Sequence, residues 1–235
     1  LLTKQIDFSN AFAQAELSSP VYLELPHGFE SEGDNKILQL QKSIYGQIEA
    51  PRLWYEKLKG GLEDRGFRCS ELDRCLFLRD DIICFCYVDD LCFFYRDEKV
   101  FWKIIKSFID DGDKFNWEHT VEGEVNSFLG ITIDRNIETG SFKFTQNGLI
   151  EKILKATSMQ DCNAVGLPYC AGMVIDCLLH NDINPEDKAP LVTRYQKLVG
   201  GLNWLGCSTC PEITVAVSLL SCHLTNPSSH LDLAK

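Results

Sequence analysis

Apolar positions along this chain follow two different rhythms, and the switches between them mark the elements. Short runs rich in β-branched and aromatic residues, each bounded by turn formers, predict strands at 21–25, 37–40, 75–78, 82–88, 91–95, 128–134 and 141–145. Residues 134–140 read as the polar loop of a hairpin. Elsewhere apolar residues recur at helical spacing. Pro51 suits a first helical turn, Trp54, Leu58 and Leu62 follow four apart, and Gly66 ends the run. Phe101, Ile104, Ile105 and Phe108 form a second stripe, and Leu149, Ile150, Ile153 and Leu154 a third. Residues 166–190 read as a loop, followed by helical runs near 195–205 and 213–224. Mixed strands and helices followed by clustered helices predict an α+β sheet domain with a mainly helical appendage.

One apolar run is interrupted in an informative way. From Ile82 to Tyr95 every residue is aliphatic, aromatic or Cys except Asp89 and Asp90. A buried carboxylate is costly unless it is paired or bound to a cation. Tyr87-Val88-Asp89-Asp90 therefore reads as a hairpin tip that presents two acids to a divalent metal. Mg²⁺ prefers hard oxygen ligands and takes few of them from the protein. A third acid is expected from a neighbouring strand end, and Asp7 is the candidate. The competing reading of Asp7 is a helix cap before residues 8–15.

Composition adds limits. The 235 residues carry a formal charge of −11, which does not favour a phosphate backbone as partner. Residues 36–68 run the other way, with seven Lys or Arg (Lys36, Lys42, Arg52, Lys57, Lys59, Arg65, Arg68) against four acids. A phosphate chain, if one is bound, is expected along that stretch, because local rather than total charge decides where it sits. The eleven cysteines are odd in number and scattered, which fits a reducing compartment better than a disulfide framework. Cys207 and Cys210 form a lone C-x-x-C without the second pair that structural zinc needs. The five histidines show no pairing pattern. No apolar stretch approaches the roughly 18 residues of a membrane helix, and no membrane partner is expected. The N-terminus lacks both an initiator Met and the apolar core of a signal peptide, and reads as part of a longer protein.

The motifs, taken in order, resemble the reverse transcriptase of copia-type LTR retrotransposons. Asp7-Phe8-Ser9-Asn10-Ala11-Phe12 is similar to the polymerase motif D-x-x-x-A-[FY], and Tyr87-Val88-Asp89-Asp90 to the Y-V-D-D motif. The segment from Val21 to Phe29 resembles V-Y-x-x-x-P-x-G-F. Leu40 to Tyr55 resembles L-x-K-[SA]-[LI]-Y-G-L-K-Q-A-P-R-x-W-Y. Phe128-Leu129-Gly130 resembles F-L-G, and Tyr195, Leu198, Val199, Gly200, Leu202, Leu205 and Pro211 fit a later helical motif. The likeness spans nearly the whole chain. Two departures stand out: Cys210 where the family carries Arg, and Gln47-Ile48-Glu49 where it carries Leu-Lys-Gln.

The resemblance implies a polymerase palm, an antiparallel sheet backed by helices, over residues 1–135. It implies a primer-grip hairpin continuation and a thumb- or connection-like helical segment over 136–235. Fingers would lie upstream and RNase H downstream. Asp7, Asp89 and Asp90 would be catalytic and, with the Phe8 carbonyl, hold two Mg²⁺ ions, Mn²⁺ being an alternative. Phe12, Tyr45, Gly46 and Gln47 would bind the incoming nucleotide, Phe12 as the gate against a ribose 2′-hydroxyl. Phe128, Leu129 and Gly130 would grip the primer, and Lys114 would protonate pyrophosphate. Implied partners are an RNA template, a DNA primer–template, dNTPs, and the RNase H and integrase domains of a Gag-Pol polyprotein. Implied location is the element's cytoplasmic particle, with the DNA product delivered to the nucleus. The competing expectation is a catalytically inactive relic or nucleic-acid-binding module.

Overall fold

The computed structural model describes residues 1–29, 37–108, 117–168 and 185–227. Two compact units, Leu1–Val125 and Asn126–Lys235, make up the chain. Both are mixed α and β, with every strand pairing antiparallel.

The first unit is built on six strands: β1 (Leu2–Phe8), β4 (Arg68–Cys69), β5 (Leu76–Arg79), β6 (Ile82–Tyr87), β7 (Asp90–Tyr95) and β8 (His119–Val121). Their order is β4-β5-β6-β7-β1-β8. A separate ribbon pairs β2 (Tyr22–Glu24) with β3 (Ile37–Gln39). Helices α1 (Ala11–Gln14), α2 (Ala50–Asp64) and α3 (Glu98–Ser107) complete it.

Period-two alternation divides the large sheet into two faces. Ile6, Phe8, Phe77, Ile82, Cys84, Cys86, Leu91, Phe93 and Tyr95 are buried in one core with Trp54, Leu58 and Leu62 of α2 and Phe101, Ile104 and Ile105 of α3. The opposite face carries Gln5, Asp7, Asp90, Phe85 and Tyr87, none of them buried. Aromatic edges bind the core: Phe8 meets Trp54 at 5.4 Å and Trp117 at 5.1 Å between ring centroids. Helix α2 keeps its apolar stripe on the core and stops at Gly66, whose φ of 83° only glycine adopts cheaply. Helix α3 begins at Asp97, whose side chain accepts the Lys99 N–H at 2.8 Å.

Three strands escape the periodicity reading. β1 hides because Lys4 and Gln5 interrupt its apolar pattern, yet it is hydrogen-bonded on both sides, by β7 and β8. β4 and β8 have two and three residues, too short to show a period. Asp7 lies within β1 and is not a helix cap; the helix starts four residues later, behind Asn10.

The second unit holds a sheet of β9 (Ser127–Phe128), β10 (Ile131–Arg135) and β11 (Phe142–Thr145), in the order β11-β10-β9. The expected strand 128–134 is thus a hairpin. Leu129 and Gly130 have φ of 52° and 76°, and two consecutive left-handed residues reverse the chain. Helices α4 (Asn147–Thr157), α5 (Pro185–Ser208) and α6 (Thr214–Ser221) follow, with a 3₁₀ turn at Pro211–Ile213. The loop expected up to 190 ends sooner, because Pro185 opens α5 and Pro190 lies inside it. Tyr195, Leu198, Val199, Ala216, Val217 and Leu220 form this unit's core, and the Tyr195 hydroxyl donates to the Leu220 carbonyl at 2.8 Å. Among the described residues, no helix is long and apolar enough to cross a membrane.

Candidate active site

Register brings the predicted acids together. In the β1–β7 ladder Asp7 stands directly opposite Asp90, and Tyr87 opposes Asp90 across the β6–β7 hairpin. Directly opposed residues share a face with Cβ atoms about 4.5–5.5 Å apart. Asp7 and Asp90 therefore project from the open face, 83 positions apart in sequence but adjacent in space. Gln5, two residues before Asp7 on the same face, donates from Nε2 to Asp90 Oδ1 at 3.3 Å.

Val88 and Asp89 alone connect β6 to β7. Val88 has φ of 56°, an uncommon and strained conformation for a β-branched residue. Two hydrogen bonds hold the turn: the indole Nε1–H of Trp54 donates to the Val88 carbonyl, and the Phe8 N–H donates to the Asp89 carbonyl at 3.0 Å. The sequence reading missed Trp54 as a support of the acids. Its only signal was helical spacing, which places it in the core but not against a particular carbonyl.

Burial raises the Asp7 carboxyl above its ordinary value, and the charges of Asp89 and then Asp90 push it further. Asp7 thus senses both of the other acids. Among the described residues, no three His, Cys, Asp or Glu side chains are gathered as a metal-ion cluster. The donor type suits a hard divalent cation, since all three are carboxylates and each repels the others without one.

The predicted nucleotide residues are placed as follows. Phe12 lies in α1 with its ring against Tyr45, centroids 4.6 Å apart, and its carbonyl accepts a hydrogen bond from the Ser43 hydroxyl. Gly46 has φ of 95° with open space where a Cβ would sit, so its backbone conformation calls for glycine. Gln47 turns back on its own loop, Oε1 accepting the Ile44 N–H at 3.0 Å. Below them a cavity of about 160 Å³ is lined by Phe12, Pro51, Trp54, Tyr55, Leu58, Cys75, Cys86 and Val88. Phe128, Leu129 and Gly130 form the β9–β10 turn of the second unit. Lys114 falls outside the described residues.

The basic stretch behaves differently from its sequence reading. Lys57 Nζ donates to the Gln14 carbonyl at 2.8 Å and lies over the Trp117 ring. Arg65 covers the Phe108 ring at 4.0 Å and donates to the Ser107 hydroxyl and carbonyl. Arg52 pairs with Glu49 and Glu56, and Lys59 with Glu63. Four of the seven cations therefore serve the fold or neighbouring acids. Net sequence charge does not distinguish such struts from cations free to meet a phosphate.

A six-stranded antiparallel sheet backed by helices, with paired acids at a hairpin tip, defines a class of mixed α/β domain compatible with nucleic-acid polymerases. The family model described as reverse transcriptase (RNA-dependent DNA polymerase) matches residues 1–171, and the chain belongs to that family, in its copia-type branch. It is similar to the Retrovirus-related Pol polyprotein from transposon TNT 1-94 of Nicotiana tabacum, 27% identical over 97% of this chain and 17% of the polyprotein. The corresponding polyprotein from transposon RE1 of Arabidopsis thaliana is 30% identical over 99% of this chain and 15% of its own length. The transposon Ty5-1 protein of Saccharomyces cerevisiae is 26% identical over 98% of this chain and 73% of that protein. The chain thus spans about a sixth of the plant polyproteins it matches.

Proposed function

We propose that this chain is the palm, with a thumb- or connection-like segment, of an RNA-directed DNA polymerase that adds dNTPs to a primer 3′-hydroxyl on an RNA or DNA template. The observation that carries the proposal is the direct opposition of Asp7 and Asp90, with Asp89 in the turn beside them, on the open sheet face. Asp7, the Phe8 carbonyl, Asp89 and Asp90 would hold two Mg²⁺ ions. When bound, such ions lower the pKa of the attacking hydroxyl and neutralise charge on the triphosphate.

The protein's own work is positioning. Gln5 holds the Asp90 carboxylate, and Trp54 and Phe8 fix the turn that carries Asp89. Mutual repulsion among the acids leaves them poised to gain from a cation. Phe12, braced by Tyr45, would exclude a ribose 2′-hydroxyl. Phe128, Leu129 and Gly130 would position the primer end. Template, primer and dNTPs are the proposed partners, beside RNase H and integrase domains of the same polyprotein in a cytoplasmic particle.

The test is Mg²⁺-dependent dNTP incorporation on a poly(rA)–oligo(dT) substrate by a polyprotein segment extended through the fingers, compared with Asp89→Asn. Incorporation by the parent and its loss in the variant are expected. Equal incorporation by both overturns the assignment. A second arm replaces Phe12 with Ala: ribonucleotide incorporation should rise, and unchanged sugar discrimination removes the gate.

A further inference from the structure

Two thiols face each other across the strands that lead into the catalytic hairpin. In the β5–β6 ladder Leu76 opposes Phe85, so the next pair outward is Cys75 with Cys86. The Cys86 N–H donates to the Cys75 carbonyl at 2.9 Å, while the Cys75 N–H donates to Asp73 Oδ1 at 2.8 Å, so the pair closes the ladder at a hydrogen-bonded position with one of its two bonds made. Such pairs have Cα atoms about 5.5 Å apart, inside the roughly 4.4–6.8 Å range that a disulfide spans. Both residues line the cavity beneath Val88, so their side chains share a face. Cys75 is exposed, whereas Cys86 is buried.

We propose that Cys75 and Cys86 form a reversible dithiol–disulfide site next to Tyr87-Val88-Asp89-Asp90. The chemistry needs a two-electron oxidant, a peroxide or a small disulfide. With hydrogen peroxide, the exposed Cys75 thiolate attacks one oxygen, the O–O bond breaks, and water leaves a sulfenic acid on Cys75. The Cys86 sulfur then attacks Cys75 sulfur, the S–S bond forms, and the sulfenic oxygen departs as a second water. Two thiol hydrogens are lost and two electrons reduce the peroxide.

Access sets the order of events. Burial, and then Cys75 itself, push the Cys86 thiol up to about 12, so Cys86 is the poorer initial nucleophile. Cys69 is a neighbouring thiol, but its register partner is Phe77 and its Sγ lies 3.6 Å from the Tyr55 hydroxyl. Cys69 also acts on Cys86, so it is strand register rather than proximity alone that singles out Cys75 as the partner. This inference stands on strand register and does not depend on polymerase activity.

The 235-residue chain is oxidised with diamide or hydrogen peroxide, blocked with an alkylating agent and digested with trypsin without reductant. Cleavage after Arg74, Arg79 and Arg96 leaves Cys75 alone on residues 75–79 and Cys86 together with Cys84 and Cys92 on residues 80–96, so fragmentation of the linked peptides assigns the bond. The expected product is a peptide pair joined through Cys75 and Cys86, two hydrogens lighter than the separate peptides and lost on reduction. Cys75→Ser and Cys86→Ser should each abolish it, and Cys69→Ser should leave it intact. Phenylarsine oxide, which bridges close thiol pairs, should be retained by the parent and lost from Cys75→Ser, an exposed change that spares the core. Independent alkylation of both thiols, or a cross-link that survives Cys75→Ser by moving to Cys69, overturns the proposal.

Discussion

Trp54→Phe tests whether the strained Val88 turn is held by the indole hydrogen bond. The substitution keeps an aromatic ring in the core but removes the indole N–H that donates to the Val88 carbonyl. The lost hydrogen bond contributes about 1 kcal/mol, and the smaller ring leaves a gap worth a further 1–2 kcal/mol, roughly 2–3 kcal/mol in all. Val88→Gly supplies the second side of a double-mutant cycle. Strain at a non-glycine left-handed residue is of order 1–3 kcal/mol, and glycine's added unfolded-state entropy offsets about 0.5–1, so this variant should gain about 1 kcal/mol. With valine in place, the strained turn can relax once its tether is gone, which caps the cost of Trp54→Phe. In the Val88→Gly background the turn has no strain to release, so Trp54→Phe should cost more, by at least about 0.5 kcal/mol. Urea unfolding by circular dichroism, with slopes compared across the four proteins, measures both terms. Additive effects, or a Trp54→Phe cost below about 1 kcal/mol, would refute the tether.

Three further outcomes follow from the first unit. Asp7 has its folded pKa raised by burial and by Asp89 and Asp90, so its favourable contribution exists in acid and is lost as pH rises through that value. Without divalent cation, Asp7→Asn should therefore raise stability at neutral pH by less than about 1 kcal/mol, given solvent screening, and the gain should vanish near about pH 4 in urea titrations at both conditions. His119 has its pKa lowered by burial and then by Arg65; the neutral ring is favoured, so stability should hold above about pH 6.5 and fall in acid, and His119→Phe should flatten that fall in urea midpoints. A methyl group at Gly61 would overlap Trp117 Cζ2, so Gly61→Ala should lose about 1–3 kcal/mol despite its better helix propensity, and an unchanged thermal midpoint would show that the ring moves freely.

What the sequence made legible was whatever one element records on its own. The β6–β7 hairpin was readable because fourteen consecutive positions are apolar apart from two acids. Helix α2 was readable because Trp54, Leu58 and Leu62 repeat on one face and a glycine stops them. What escaped depends on two elements at once. Asp7 could be named from its motif, but its place opposite Asp90 rests on the β1–β7 register, and β1 shows little period of its own. The turn at Val88 carries none of the glycine or asparagine that usually announces left-handed backbone. Lys57 and Arg65 counted as template-facing charge until their partners on other segments, the Gln14 carbonyl and Ser107, became visible.

The same distinction explains why the acids tolerate their surroundings. Asp89 and Asp90 interrupt an apolar run, a pattern that on its own implies burial demanding a cation. The sheet shows a milder arrangement: alternation sends Leu91, Phe93 and Tyr95 into the core and leaves Asp90 on the open face, half-buried beside Asp7. Desolvation is therefore partial, and under the proposed reading like-charge repulsion with partial burial, rather than full burial, would be the source of affinity for a cation. If it takes up a cation as proposed, such a site would fold without metal at a modest stability cost and recover it on binding, since a ligand that binds only the folded state stabilises it in proportion to the logarithm of its excess over Kd. The strain at Val88 follows the same logic. A relaxed turn with glycine would fold more easily, but the left-handed valine, tied by Trp54 and Phe8, fixes where Asp89 stands relative to Asp7.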